Sequence, residues 1–184
     1  ALAIHGGSGT ILRENLGPEK ERAYESGLRT ALNRGWEQLA GGTPALDAVI
    51  EAVISLEDDP LFNAGRGSVL SRAGTCSMDA AVMCGARQRA GAVASVRGIR
   101  NPIQLARAVL DSGRYVFLVG EGAEAFAENR GIPTETEDFF RVPERVEQWR
   151  RARDRDEIVM DHDTDSEFGT VGAVAVDAEG RCAA

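Results

Sequence analysis

A Gly-Thr pair opens an alternating apolar run, Gly169-Thr170-Val171-Gly172-Ala173-Val174-Ala175-Val176-Asp177, directly behind a long acidic stretch. Alternating Val, Ala and Gly bounded by polar residues predict a half-buried strand. The fold must therefore contain a sheet that accepts a strand from the far end of the chain. The same pair carries chemistry, because Thr170 stands behind the least hindered peptide carbonyl available, that of Gly169. Its hydroxyl can attack that carbonyl carbon, rearrange to an ester and leave Thr170 as a new N-terminus. The freed α-amine, with a reference pKa of about 7.7–8.0, can then serve as base for its own hydroxyl.

The rest of the chain alternates helical and strand patterns. Ala1 to Ile4 is a short apolar strand running into Gly6-Gly7. Pro18 opens a helix with the stripe Tyr24, Leu28, Ala31, Leu32, Gly35, Trp36 and Leu39, stopped by Gly41-Gly42. Thr43-Pro44 predicts the next start, Thr43 as N-cap, with Leu46, Val49, Val53 and Leu56 buried until Asp58-Asp59-Pro60. Strands are expected over Thr75–Met83 and Gly91–Val96, joined through Arg87-Gln88-Arg89. Asn101-Pro102 caps a helix through Asp111; Tyr115–Val119 is a strand, and Glu121–Asn129 a helix ended by Gly131. Glu144–Arg153 is a short surface helix, and 154–167 is a polar tether. Strands flanked by helix pairs predict a layered α/β fold.

Composition excludes several partners. A net charge of −8 argues against nucleic acid or an anionic membrane. The excess is local, with twelve acids against six bases from Ile132 to Phe168. No apolar run has transmembrane length, and no signal peptide is visible. Cys76, Cys84 and Cys182 make neither a disulfide framework nor a metal-ligand spacing. They suit a reducing compartment, so the cytoplasm is favoured, with a cleaved signal left open.

The Gly169-Thr170 run resembles the processing site of the plant-type asparaginases, or isoaspartyl peptidases, which are N-terminal nucleophile hydrolases. Other segments match that family in order: Ala3-Ile4-His5-Gly6-Gly7-Ser8-Gly9, then Pro60-Leu61-Phe62-Asn63-Ala64-Gly65-Arg66-Gly67, Gly91-Ala92-Val93-Ala94 with Arg100-Asn101-Pro102, and Gly120-Glu121-Gly122-Ala123. The resemblance implies a four-layer αββα sandwich, incomplete in this chain. Residues 1–169 would be the α-subunit portion, with its acidic linker at about 132–169, and 170–184 the start of a β-subunit. The family continues past this strand, so a chain from Ala1 to Ala184 is expected to be cut at both ends, without the half that binds the substrate's α-amino and α-carboxyl groups. A dimer of αβ units, acting on a small molecule or dipeptide, is implied.

The resemblance also assigns roles. Thr170 is the nucleophile for self-cleavage at Gly169-Thr170, and then for hydrolysis of asparagine or β-aspartyl dipeptides. Thr164 is a rival, because His162-Asp163-Thr164 resembles the processing triplet of glycosylasparaginases, yet Asp165-Ser166-Glu167 follows instead of an apolar strand. His5, Gly6 and Gly7 support the processing site, since a Thr with its own amine needs no histidine base. Asn63 supports the nucleophile; a solvated loop Asn is the alternative. Leu56, Glu57, Asp59, Phe62, Ala64 and Arg66 would hold a structural sodium through backbone carbonyls; a plain loop stays open. No catalytic cofactor is expected. Asp79, an acid within an apolar strand, is expected to be buried and hydrogen-bonded, and Cys76 and Cys84 to be packing residues. Glycosylasparaginase activity, or a truncated non-catalytic fragment, are the alternatives. A phosphate or esterase loop at His5–Gly9 ranks last, because neither a Walker lysine nor a Gly-x-Ser-x-Gly elbow accompanies it.

Overall fold

Alternation decides which way each strand faces. In the computed structural model, which describes residues 1–7, 16–154 and 170–184, six strands form one sheet. They are β1 (Leu2–His5), β2 (Met78–Cys84), β3 (Arg89–Val96), β4 (Phe117–Val119), β5 (Gly172–Val176) and β6 (Cys182–Ala183). Across the sheet the order is β1-β5-β6-β2-β3-β4, antiparallel except for the parallel β3–β4 pair. The strand behind Thr170 thus lies inside the sheet, beside the first strand of the chain. Met78, Val82, Val93 and Ala175 are buried, whereas Asp79, Ala81, Met83 and Val174 are exposed.

The helices are α1 (Pro18–Ala40), α2 (Ala45–Asp58), α3 (Pro102–Ser112), α4 (Gly120–Asn129), α5 (Glu137–Phe140) and α6 (Pro143–Asp154), of which the first four pack on the sheet. Helix α2 is apolar nearly all round and is accordingly buried nearly all round, packed against α1, α3 and β5. Helix α3 lies on β2 and β3. One large core joins α2, α3 and the sheet, and a smaller cluster of Ala31, Leu56 and Phe62 sits beside Ile4, Tyr24 and Val171. Among the described residues there is a single sheet; a second sheet, as the four-layer arrangement requires, is not among them.

The helix starts differ from expectation in an informative way. Thr43 does not cap α2; its hydroxyl donates to the Gln38 carbonyl at 2.7 Å, closing the end of α1. The first amide of α2, Ala45, donates instead to Asp177 Oδ2 at 3.1 Å, a carboxylate from beyond β5. Asn101 likewise leaves α3 uncapped and turns its amide to Asp58, while the Ile103 N–H donates to Glu57 Oε1 at 3.0 Å. Both helices therefore draw a carboxyl oxygen from another element to an N-terminal amide, and the helix dipole favours the charge of Asp177 at the start of α2.

Other corrections follow from packing. Leu32 and Trp36 are exposed, because α1 meets α2 on the narrower face of Ala31 and Gly35. Asp79 is exposed rather than buried. It accepts the Ser95 N–H at 2.7 Å where β2 and β3 slip register and Ser95 takes a φ of 55°. Part of the acidic stretch is packed rather than solvated, since Phe140, Val142 and Arg145 are buried. Cys76 and Cys84 are buried packing residues, as their type suggests.

Candidate active site

Three loops meet at one corner of the sheet. Thr170 is exposed two residues before β5, and Val171 behind it packs against the smaller core cluster. The antiparallel register sets His5 opposite Gly172, and the imidazole lies close over that glycine, where a side chain would stand. Gly6 follows, and any β-carbon there would come within 2.6 Å of the Phe62 ring. The glycine is thus what lets the His5-Gly6-Gly7 turn lie on Phe62, which Tyr24 meets edge-on at 5.7 Å.

Phe62 in turn roots the loop that carries Asn63. The Asn63 side-chain oxygen accepts the Val69 N–H at 3.0 Å, pinning the loop across its base. Thr170, His5 and Asn63 all line one cavity of about 710 Å³, which Asp79, Ser77, Glu57 and Ala184 also border. This cavity opens between β5 and β2, alongside the two-residue β6. Gly169, Thr164 and its neighbours, Ser8 and Gly9 lie outside the described residues.

The six residues expected to hold sodium sit together. Leu56 and Glu57 form the last turn of α2, whose final carbonyls have no partner within the helix. Asp59 follows, and the chain carrying Phe62, Ala64 and Arg66 folds back on it through a 3₁₀ turn at Gly65–Gly67. A β-carbon at Gly67 would run into the Phe62 and Pro60 carbonyls, and one at Gly65 into that of Glu57. The Asp59, Phe62 and Ala64 carbonyls accept the Phe62, Ala64 and Gly67 N–H groups at 3.3, 2.9 and 3.0 Å; carbonyl oxygen is the donor type that suits a hard cation.

For Glu57 the sequence suggested only a backbone-carbonyl role, and Arg145 was not legible as a site residue at all. The Glu57 carboxyl is buried and lines the cavity; Oε2 has no hydrogen-bond partner among the described residues. Burial pushes its pKa up to about 8, against the pull of the Ile103 N–H and the Asn101 amide and with help from the Asp58 charge. It is a neutral acid at pH 7. Arg145 of α6 is 7% exposed and reaches the Asn63 loop through backbone carbonyls. A signal existed: Val142, Arg145, Val146 and Trp149 follow the i, i+3, i+4, i+7 spacing of an inward stripe.

The asparaginase family matches this chain over residues 1–184. The isoaspartyl peptidase of Salmonella typhimurium is 45% identical over the whole chain, which covers 60% of that protein. The plant-type L-asparaginase of Pyrococcus abyssi is 42% identical over 97% of the chain and 60% of its own length. An isoaspartyl peptidase/L-asparaginase of Xenopus laevis is 39% identical over 99% of the chain and 57% of its own. The chain thus spans about 60% of the length of such relatives.

Proposed function

The chain belongs to the asparaginase family, and from that premise we propose that it is the nucleophile-bearing portion of an autoprocessing amidohydrolase. In the full-length protein Thr170 Oγ attacks the Gly169 carbonyl carbon and the C–N bond breaks, giving an ester. Water then cleaves the ester, leaving a Gly169 carboxylate and a free Thr170 α-amine. In turnover that amine takes the Thr170 hydroxyl proton, and Oγ attacks the side-chain amide of L-asparagine or the β-linked bond of an isoaspartyl dipeptide. The proton passes to the departing amine, and water releases L-aspartate from the acyl-enzyme. The observation that carries this reading is the shared cavity: Thr170 heads β5 beside His5 and Asn63 on one lining.

Further features belong to the proposal. Leu56, Glu57, Asp59, Phe62, Ala64 and Arg66 hold a sodium ion by main-chain oxygen, which braces the Asn63 loop and supplies no chemistry. Residues beyond Ala184 extend β6 into the slot between β5 and β2 and bring the groups that bind substrate. A second sheet covers the open face at Ala81, Met83 and Val174 to complete an αββα sandwich, and two αβ units pair. Three free cysteines support a cytoplasmic setting.

Full-length Thr170→Ala and Thr170→Ser variants test the nucleophile. Ala should abolish both chain cleavage and aspartate release, whereas Ser, which keeps the hydroxyl and the freed amine, should retain some of each. Wild-type rates from the Ala variant would place the chemistry elsewhere.

A further inference from the structure

Helix α6 is mostly charged, yet it docks by reaching into backbone. Arg145 Nε donates to the Gly67 carbonyl at 2.6 Å and Nη2 to the Leu61 carbonyl at 3.3 Å. Nη1 reaches Gln148 on the same helix at 3.4 Å. Two neighbours extend the contact, with Trp149 Nε1 on the Arg72 carbonyl and Arg141 on that of Gly74. Leu61 and Gly67 are the two shoulders of the segment that presents Asn63, and Arg145 spans them with one rigid fork. Only a planar guanidinium offers two donors in fixed directions; an ammonium reaches either carbonyl alone.

We infer that Arg145 is a positioning residue: its guanidinium closes the Leu61–Gly67 loop and so sets the place of Asn63 beside Thr170. It acts through the loop, by its hydrogen bonds to the Gly67 and Leu61 carbonyls. None of the six residues expected to hold sodium supplies these two carbonyls, so the loop is tied by a fixed cation at its shoulders whatever occupies its interior. The inference rests on the reading that Thr170 is the nucleophile and Asn63 its support.

The test uses the mature full-length protein and L-asparagine, with kcat expressed per processed chain that begins at Thr170. Arg145→Lys keeps the charge and loses the fork. It should lower kcat by about ten- to hundred-fold, the scale of a small misplacement near the reacting atoms, with KM and melting temperature close to wild type. Arg145→Ala should fall further and recover part of its kcat with free guanidinium. A purely structural role would instead reduce melting temperature and the processed fraction while leaving kcat per processed chain intact. Wild-type kcat per processed chain in Arg145→Lys, with no guanidinium response in Arg145→Ala, overturns the inference; if Arg145→Ala is insoluble, wild-type kcat in Arg145→Lys alone overturns it. A Thr170→Ala control in the same series separates the two ideas. Turnover surviving there sinks the nucleophile, whereas a dead control beside an indifferent Arg145→Lys sinks only the positioning role.

Discussion

The helix-sheet core and the corner that holds Thr170 are built by different means. In the core, Leu105, Val109, Val93 and Val82 are buried because their own neighbours in sequence repeat at helical or strand period. At the corner, the ties cross long stretches of chain: Arg145 to Gly67, Phe62 to Gly6, His5 to Gly172. The core distributes its stability over many replaceable contacts, while the corner concentrates position in a few polar or steric ties. Side-chain changes in the first should move stability, and side-chain changes in the second should move turnover.

The largest expected effect tests the core half of that contrast. Leu105→Ala removes a fully buried side chain and should cost about 2–5 kcal/mol, read from urea unfolding, with kcat per processed chain retained. A cost below about 1 kcal/mol would mean that α3 is not packed as described.

At the corner, replacing sodium by caesium should lower the melting temperature of the full-length protein by a few degrees, since a ligand bound only to the folded state stabilises it by mass action. The same exchange should leave the Leu105→Ala penalty unchanged. Identical melting curves in the two salts would remove the sodium ion from the proposal.

The smallest effect concerns Asp177, which caps α2 at its N-terminus. Burial works against its charge, but hydrogen bonds from the Arg181 side chain and from the Arg181, Ala45 and Glu179 amides hold its pKa down to about 2. Its folded value lies below the ordinary 3.8. The stability it contributes is therefore complete above 3.8 and is lost as pH falls through about 2. Against Asp177→Asn, the wild type should show a constant advantage at neutral pH that shrinks across this window. Melting curves taken over the acid range that keep a constant difference would show that the charge is not what holds α2.

This division also explains what could be read in the sequence. Pro18, Pro60, Gly41-Gly42 and the alternation around β2, β3 and β5 act within a few residues, so element types and the interior strand behind Thr170 were legible. Helix caps were misread at Thr43 and Asn101 because their partners, Asp177 and Glu57, come from elsewhere in the fold. Leu32 and Trp36 fit a helical period but lie outside the narrow face that meets α2. Asp79 was expected inside because a register slip at Ser95 is invisible in composition. Arg145 hid within a charged segment read as a short surface helix.

Strand order finally bears on how the molecule can be assembled. Strand β5 lies between β1 and β6, and Ala1 reaches the Val176 carbonyl across 175 residues of chain. Joined in one polypeptide, those ends meet at a loop-closure cost that grows only with the logarithm of length. Made as separate pieces, they must associate against a loss of translational and rotational freedom of about 4–15 kcal/mol, and the piece that starts at Thr170 would offer bare apolar edges meanwhile. Folding should therefore precede the proposed cut. Two co-expressed halves would complement poorly, whereas a precursor nicked after folding would stay together without any covalent bond between its parts.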